Sequence, residues 1–225
     1  MPKAEFIRTM FDDISGKYDL LNDILSFGTH RLWKRQLVEK VWQIQPKRVL
    51  DCATGTGDIA FMLEESTIPE IIGTDFSGQM IELAKQKAKV RSSRVSFEIG
   101  DLTELEFEKN QFDAASVSFG LRNVENLPKA LNELSRVSNS LFVLEFGKPQ
   151  KQWFAKFYFK LLRLYFPVFS FISGRGDAYD YLISSSESFP SGSDFIQLVK
   201  SNTDYQSFSF TPLFGGIAYI YEARK

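Results

Sequence analysis

One cysteine and one histidine are all that the 225 residues hold of the side chains that most often ligate metals or attack substrates. A single thiol, Cys52, excludes an internal disulfide framework and fits a reducing compartment. It stands in an apolar run, where a small buried hydrophobe is the expectation. A single imidazole, His30, excludes a His–His dyad, and with one cysteine no metal cluster is expected. Charge of one sign is also missing. The 27 basic and 28 acidic residues leave a net charge of −1, without the basic footprint of a nucleic-acid binder. The opening MPKAEFIRTMFDD has no apolar segment of the kind a secretory leader needs, so a cytoplasmic protein is expected.

What is present is an alternation. No repeat or low-complexity tract interrupts the chain, and its length suits one domain with a full core. Residues 4–45 carry apolar and charged side chains at helical spacing, which predicts two or three helices. From Arg48 onward, β-rich runs alternate with helical ones. Strands are expected at 48–53, 70–75, 94–99, 112–118 and 140–146, and helices at 58–65, 77–90 and 128–137. Ser77 suits an N-cap and Pro128 a first helical turn. This pattern predicts an open, mostly parallel α/β sheet covered on both faces. Two last runs, 206–212 and 216–223, leave no room for a helix and should form an antiparallel hairpin at the sheet edge.

In such a sheet ligands bind at the carboxyl ends of the strands, beside the switch in strand order. The residues there are Asp51 with the loop Gly55-Thr56-Gly57, Asp75, Gly100-Asp101, Ser118 to Asn123, and Glu145. The run Gly55 to Ala60 reads G-x-G-x-x-A, which suits a dinucleotide, and Asp75 stands where a ribose-binding acid belongs. Asp51 and Asp101 decide against that reading. A pyrophosphate would meet like charge, whereas a cationic cofactor is attracted. S-adenosylmethionine (SAM) carries a sulfonium and an ammonium and no phosphate. Asp51, Gly55, Thr56, Gly57, Asp75, Phe76, Asp101, Leu102 and Ser118 are therefore assigned to SAM, with Asp75 on the ribose and Asp101 on the adenine amino group.

The stretch YDLLNDILSFGTHRLW, Tyr18 to Trp33, resembles the N-terminal signature of the ubiquinone/menaquinone C-methyltransferase family, Y-D-x-M-N-x-x-L-S-x-G-x-H-R-x-W. It departs from that pattern only at Leu21, in place of Met. SFGLRNV at Ser118, AYDYL at Ala178, FPSGSDF near Phe189 and FGGIA at Phe214 follow in family order. The family loop A-G-G-T-G is here Ala53-Thr54-Gly55-Thr56-Gly57, and its K-P-G-G turn before strand five is shortened to Ser138-Asn139.

The resemblance implies a class I SAM-dependent methyltransferase fold, Rossmann-like, with a seven-stranded sheet and N-terminal helices. It divides the chain into a helical substrate cap (1–45), a cofactor core (46–147), a helical segment on the substrate side (148–203) and the hairpin (204–225). It implies C-methylation of a polyprenylated quinol, with Arg122 and water managing the ring proton and Asn123 and Tyr18 as neighbours. An arginine is effectively always protonated, so stabilising a developing phenolate suits Arg122 better than acting as base. His30 orients the quinol, serves as base, or is structural. Demethylmenaquinol is favoured over the demethylated benzoquinol of ubiquinone synthesis. Another small-molecule acceptor and a non-catalytic binding module remain the alternatives.

Trp153 to Ser173 is dense in aromatics but broken by Lys156, Lys160 and Arg163 at i, i+4 and i+7. Three bases in so short a run argue against a spanning helix. The stripe fits a helix lying on an anionic bilayer, which would reach a membrane-held quinol from the inner face, a helix lining a groove for the prenyl tail, or an ordinary core helix with a solvated side. The sequence leaves a homodimer open.

Overall fold

The protein, seen in a computed structural model, is described for residues 28–173 and 176–225. The expected helices before Gly28, with Tyr18, lie outside the described residues.

Seven strands form one sheet in the order β3-β2-β1-β4-β5-β7-β6. The first five, β1 (Arg48–Cys52), β2 (Glu70–Asp75), β3 (Ser96–Ile99), β4 (Ala114–Ser118) and β5 (Ser140–Phe146), are parallel. The last two, β6 (Ser207–Leu213) and β7 (Ala218–Arg224), pair antiparallel with each other, and β7 runs antiparallel to β5. The expected hairpin is thus present. Pro212 falls on β6, the edge strand, where a missing amide donor is tolerated.

β1 and β5 are buried along almost their whole length, as strands sandwiched between helices must be. α1 (His30–Gln43), α2 (Asp58–Glu64), α3 (Gly78–Arg91) and α4 (Leu127–Val137) flank the sheet. Ser77 caps α3 by accepting from Met80 N at 3.2 Å, and Pro128 lies in the first turn of α4. Two strands start later than the sequence suggests. The amides of Arg94 and Val95 bond the Glu64 carboxylate and the Ser93 hydroxyl, so neither is available to β3. Phe112 makes only an isolated bridge to Ser138, and the β4 ladder begins at Ala114.

After β5 come α5 (Gln152–Ser173), α6 (Gly176–Ser188) and α7 (Ser193–Asn202). Ala155, Tyr158, Phe159 and Leu162 bury one face of α5 in the core. Trp153, Phe157 and Leu164 are exposed, as are Lys156 and Lys160. Arg163 departs from the free basic stripe, because it pairs with Glu187 on α6 at 2.9 Å. Among the described residues no helix is long and apolar enough to cross a membrane.

Candidate active site

β1 and β4 are neighbours in the sheet, and the chain leaves them in opposite directions across it, so their carboxyl ends open a crevice. Both exits are tight. Ala53 after β1 and Phe119 after β4 hold positive φ, at 49° and 58°. A β-carbon on Gly120 would lie 2.5 Å from that of Ala53, so glycine is what lets the two loops touch. A β-carbon on Gly57, which is at φ 91°, would come within 2.8 Å of the rings of Phe61 and Phe97, so glycine lets the start of α2 seat against the sheet. The result is a cavity of about 560 Å³.

Asp51 forms its floor. It is almost wholly buried, and Oδ2 accepts from the Thr54 hydroxyl at 2.6 Å while Oδ1 accepts from that of Ser116 at 2.7 Å. Burial pushes its pKa up to about 6, against the two hydroxyls and the Lys34 charge, which oppose the rise. Near neutral pH it is still mainly an anion. Thr54 fits because residue 73 is glycine: a β-carbon there would approach the Thr54 hydroxyl to 2.9 Å. Next to Asp51, Cys52 is fully buried, and burial holds its thiol protonated.

Asp75 ends β2 and is held by backbone amides, Oδ2 by Gly55 N at 2.9 Å and Oδ1 by Ser77 N at 3.0 Å. These bonds tie the glycine loop to the second strand. Asp101 is exposed at the rim and turns back on Thr103, whose amide and hydroxyl both donate to Oδ1 at 2.7 and 2.9 Å.

Beyond β4, Leu121–Asn123 form a short 3₁₀ turn. The Arg122 and Glu145 side chains, both fully buried, form an ion pair, and Arg122 also donates to Phe119 O at 2.8 Å. Glu145 accepts from Phe146 N at 2.9 Å as well. Burial raises the Glu145 carboxyl above its ordinary range, while the guanidinium pulls it down. Asn123 accepts from the Tyr181 hydroxyl at 2.9 Å. Burial raises the Tyr181 pKa, leaving a neutral phenol that donates.

Asp51, Gly55, Thr56, Asp75, Phe76, Asp101, Leu102, Ser118 and Asn123 all line this one cavity. Gly57 shapes the loop from behind it. The Arg122 side chain is not on the wall of this cavity, and a guanidinium already neutralised by Glu145 has little charge to spare for a phenolate. His30 is buried in an adjoining depression with Arg31, Lys34 and Asp58. Sequence reasoning missed Lys34, which lines the cavity, and Tyr181; it placed Glu145 among the strand-end residues but did not pair it with Arg122. Lys34 was findable: four residues after His30, it lies on the same face of a helix entering the site.

Comparison with known proteins gives the family and the fold. A model described as the ubiE/COQ5 methyltransferase family matches residues 2–225. The ubiquinone/menaquinone biosynthesis C-methyltransferase UbiE of Bdellovibrio bacteriovorus is 39% identical over 98% of this chain and 96% of its own. The demethylmenaquinone methyltransferase of Thermus thermophilus is 44% identical over 80% of this chain and 84% of its own. Among solved structures, a SAM-dependent methyltransferase from Thermotoga maritima superposes with a TM-score of 0.67 at 16% identity. It covers 97% of this chain and 99% of its own, a likeness that shows the fold.

Proposed function

The chain belongs to the ubiE/COQ5 methyltransferase family, and from that premise we propose that it methylates a ring carbon of demethylmenaquinol, with its acceptor-side residues on the turn after β4. It is a SAM-dependent methyltransferase. Both relatives named above carry menaquinone in their names and only one carries ubiquinone, which favours the naphthoquinol. The observation that carries the site assignment is the convergence of Asp51, Asp75 and Asp101 on one cavity beside the Gly55 loop.

The residues present fit SAM. A cavity of about 560 Å³ lies within the range for such ligands, and its carboxylates complement a cation rather than a pyrophosphate. When bound, the cofactor supplies an electrophilic methyl group. Asp75, pre-set by its two amides, accepts from the ribose hydroxyls, and Asp101 accepts from the adenine amino group. Asn123 is the polar side chain offered to the quinol hydroxyl, held in place by Tyr181. Arg122 and Glu145 form the support beneath it, fixing the 119–123 turn so that the acceptor carbon is aligned. The ring proton leaves to water, since neither Tyr181 nor Arg122 is a base at neutral pH. Turnover of demethylmenaquinol and of the demethylated benzoquinol, each with a short prenyl tail, tests the acceptor. Preference for the benzoquinol overturns it.

The quinol tail resides in a bilayer, and α5 offers the surface to meet it. Trp153, Phe157, Lys160 and Leu164 follow at i, i+4, i+7 and i+11, one exposed face, with Lys156 beside it. Phe214 is also exposed, and its neighbour Gly215 packs on the ring of Phe154. Interfacial aromatics flanked by lysines match an anionic membrane surface.

A further inference from the structure

A ring oxygen that becomes an anion needs a donor in this cavity, and the Arg122 charge is already cancelled by Glu145. Asn123 lines the cavity, and an amide presents an acceptor or a donor according to which way it is turned. Two neighbours decide the direction. Phe119 O can only accept, and Asn123 Nδ2 lies 3.4 Å from it. That carbonyl is itself fixed. Phe119 sits at φ 58°, its amide donates to Leu144 O at 2.7 Å, and Arg122 Nη1 donates to its oxygen at 2.8 Å. Turning the Asn123 amide over would set its oxygen against this carbonyl, lone pair to lone pair. On the other side the Tyr181 hydroxyl donates to Asn123 Oδ1 at 2.9 Å. Burial keeps that phenol protonated near neutral pH, against the Arg122 charge and with that of Glu145. Tyr181 is not itself on the cavity wall, so it acts through Asn123.

With the carbonyl end held by Tyr181, the amide nitrogen keeps its second N–H for the cavity. A neutral quinol hydroxyl would seek an acceptor there, whereas a phenolate seeks a donor. We propose that Tyr181 is a positioning residue for the methyl transfer. It holds the Asn123 amide so that an N–H meets the quinol oxygen beside the acceptor carbon, and the site takes the quinol as its phenolate. This rests on Asn123 facing the acceptor and goes beyond that reading by naming the ionised form that is bound. The order of the two proton losses follows. The hydroxyl proton passes to water first. The ring carbon then forms its bond to the methyl group as the sulfur–methyl bond breaks, with the electron pair left on sulfur. The ring is now a neutral dienone. Loss of the ring proton to water restores a phenolate, which meets the same N–H.

Calorimetric binding of a hydroxynaphthoquinone, ionised near neutral pH, and of its neutral methyl ether is the test. The protein is saturated with S-adenosylhomocysteine, so that no sulfonium attracts the anion. The parent should hold the anion more tightly than the ether, by about tenfold or more. Tyr181→Phe, which deletes one oxygen atom, should cut that preference by about two- to tenfold through the anion alone. It should lower kcat for demethylmenaquinol by the same factor, with the KM for SAM unchanged. Asn123→Asp, with an oxygen in place of the donor, should favour the ether. A preference untouched in Tyr181→Phe, or equal weakening of both rings, marks a packing contact between α6 and the 119–123 turn and overturns the proposal. Should Tyr181→Phe not fold, the parent's own ratio decides, because equal affinity for anion and ether overturns the proposal without any variant. A parent that binds neither ring overturns the acceptor reading and this proposal with it.

Discussion

The Thr54 hydroxyl donates to Oδ2 of Asp51 at 2.6 Å, at the point where this chain has threonine in place of the family's glycine. The side chain therefore enters the cofactor loop as a ligand to the buried acid, and Gly73 leaves it room. Asp51 keeps a proton up to about pH 6, against an ordinary value of 3.8. Between those values the folded chain holds a proton that the unfolded chain has released. Stability therefore falls as pH rises from about 4 to about 6 and stays lower above.

Asp51→Asn should remove that cost. Thermal or denaturant unfolding at pH 7 should show the variant more stable than the parent by roughly 1–3 kcal/mol, with the gain vanishing near pH 4. SAM binding should weaken in the same variant, because the cation loses its anion. For the parent, affinity for SAM should fall as pH drops below about 6. A destabilised Asn variant that binds SAM normally contradicts the role assigned to Asp51.

Asp75 should be the carboxylate on which cofactor affinity depends most. Asp75→Ala removes the ribose acceptor and the ties to Gly55 N and Ser77 N. Each charge-assisted bond is worth about 1.5–3 kcal/mol, so SAM binding should weaken by about a hundredfold or more in calorimetry. A loss of only a few-fold would place the ribose elsewhere.

The Arg122–Glu145 pair makes a different kind of claim. Removing either partner leaves a buried charge alone, so Arg122→Ala or Glu145→Ala should cost about 3–5 kcal/mol in chemical denaturation. The double variant Arg122→Met/Glu145→Leu should recover most of that stability but not the turnover. Asn123→Ala, which breaks no ion pair, should lower turnover strongly while SAM affinity stays within a few-fold. Proportional loss of SAM binding in Asn123→Ala would put Asn123 on the cofactor.

Membrane contact is read by vesicle co-sedimentation. The parent should pellet with vesicles containing anionic lipid and remain in the supernatant with neutral ones. Lys156→Glu/Lys160→Glu and Trp153→Ala/Phe157→Ala should each stay in the supernatant. Equal recovery of parent and variants with the vesicles refutes the α5 surface.

How much of this could be read from residues alone follows from the range of the interactions. The strand-end acids were legible because Asp51, Asp75 and Asp101 each follow a short β-rich run, and in a parallel sheet all such ends share one side. The caps at Ser77 and Pro128 are local chemistry and were legible for the same reason. The β3 start was not. The amides of Arg94 and Val95 are taken by Glu64 and Ser93, and Glu64 lies 30 residues from Arg94. Arg122 reads as a free cation in SFGLRNV, and only the register of β4 beside β5 brings Glu145 beneath it. Lys34 was within reach of the sequence, four residues after His30 on one helix face, but its sharing of Asp58 with Lys87 is a contact across three separate helices and was not.

Methyl transfer from SAM labelled with carbon-13 in its methyl group tests the central claim most directly. The parent protein is supplied with demethylmenaquinol bearing a short prenyl tail, kept reduced, and the product is read by carbon NMR. The label should appear as a methyl on the ring carbon next to a quinol hydroxyl, with Asn123→Ala forming far less of the same product. Label on a quinol oxygen, or none transferred while SAM still binds, would contradict it.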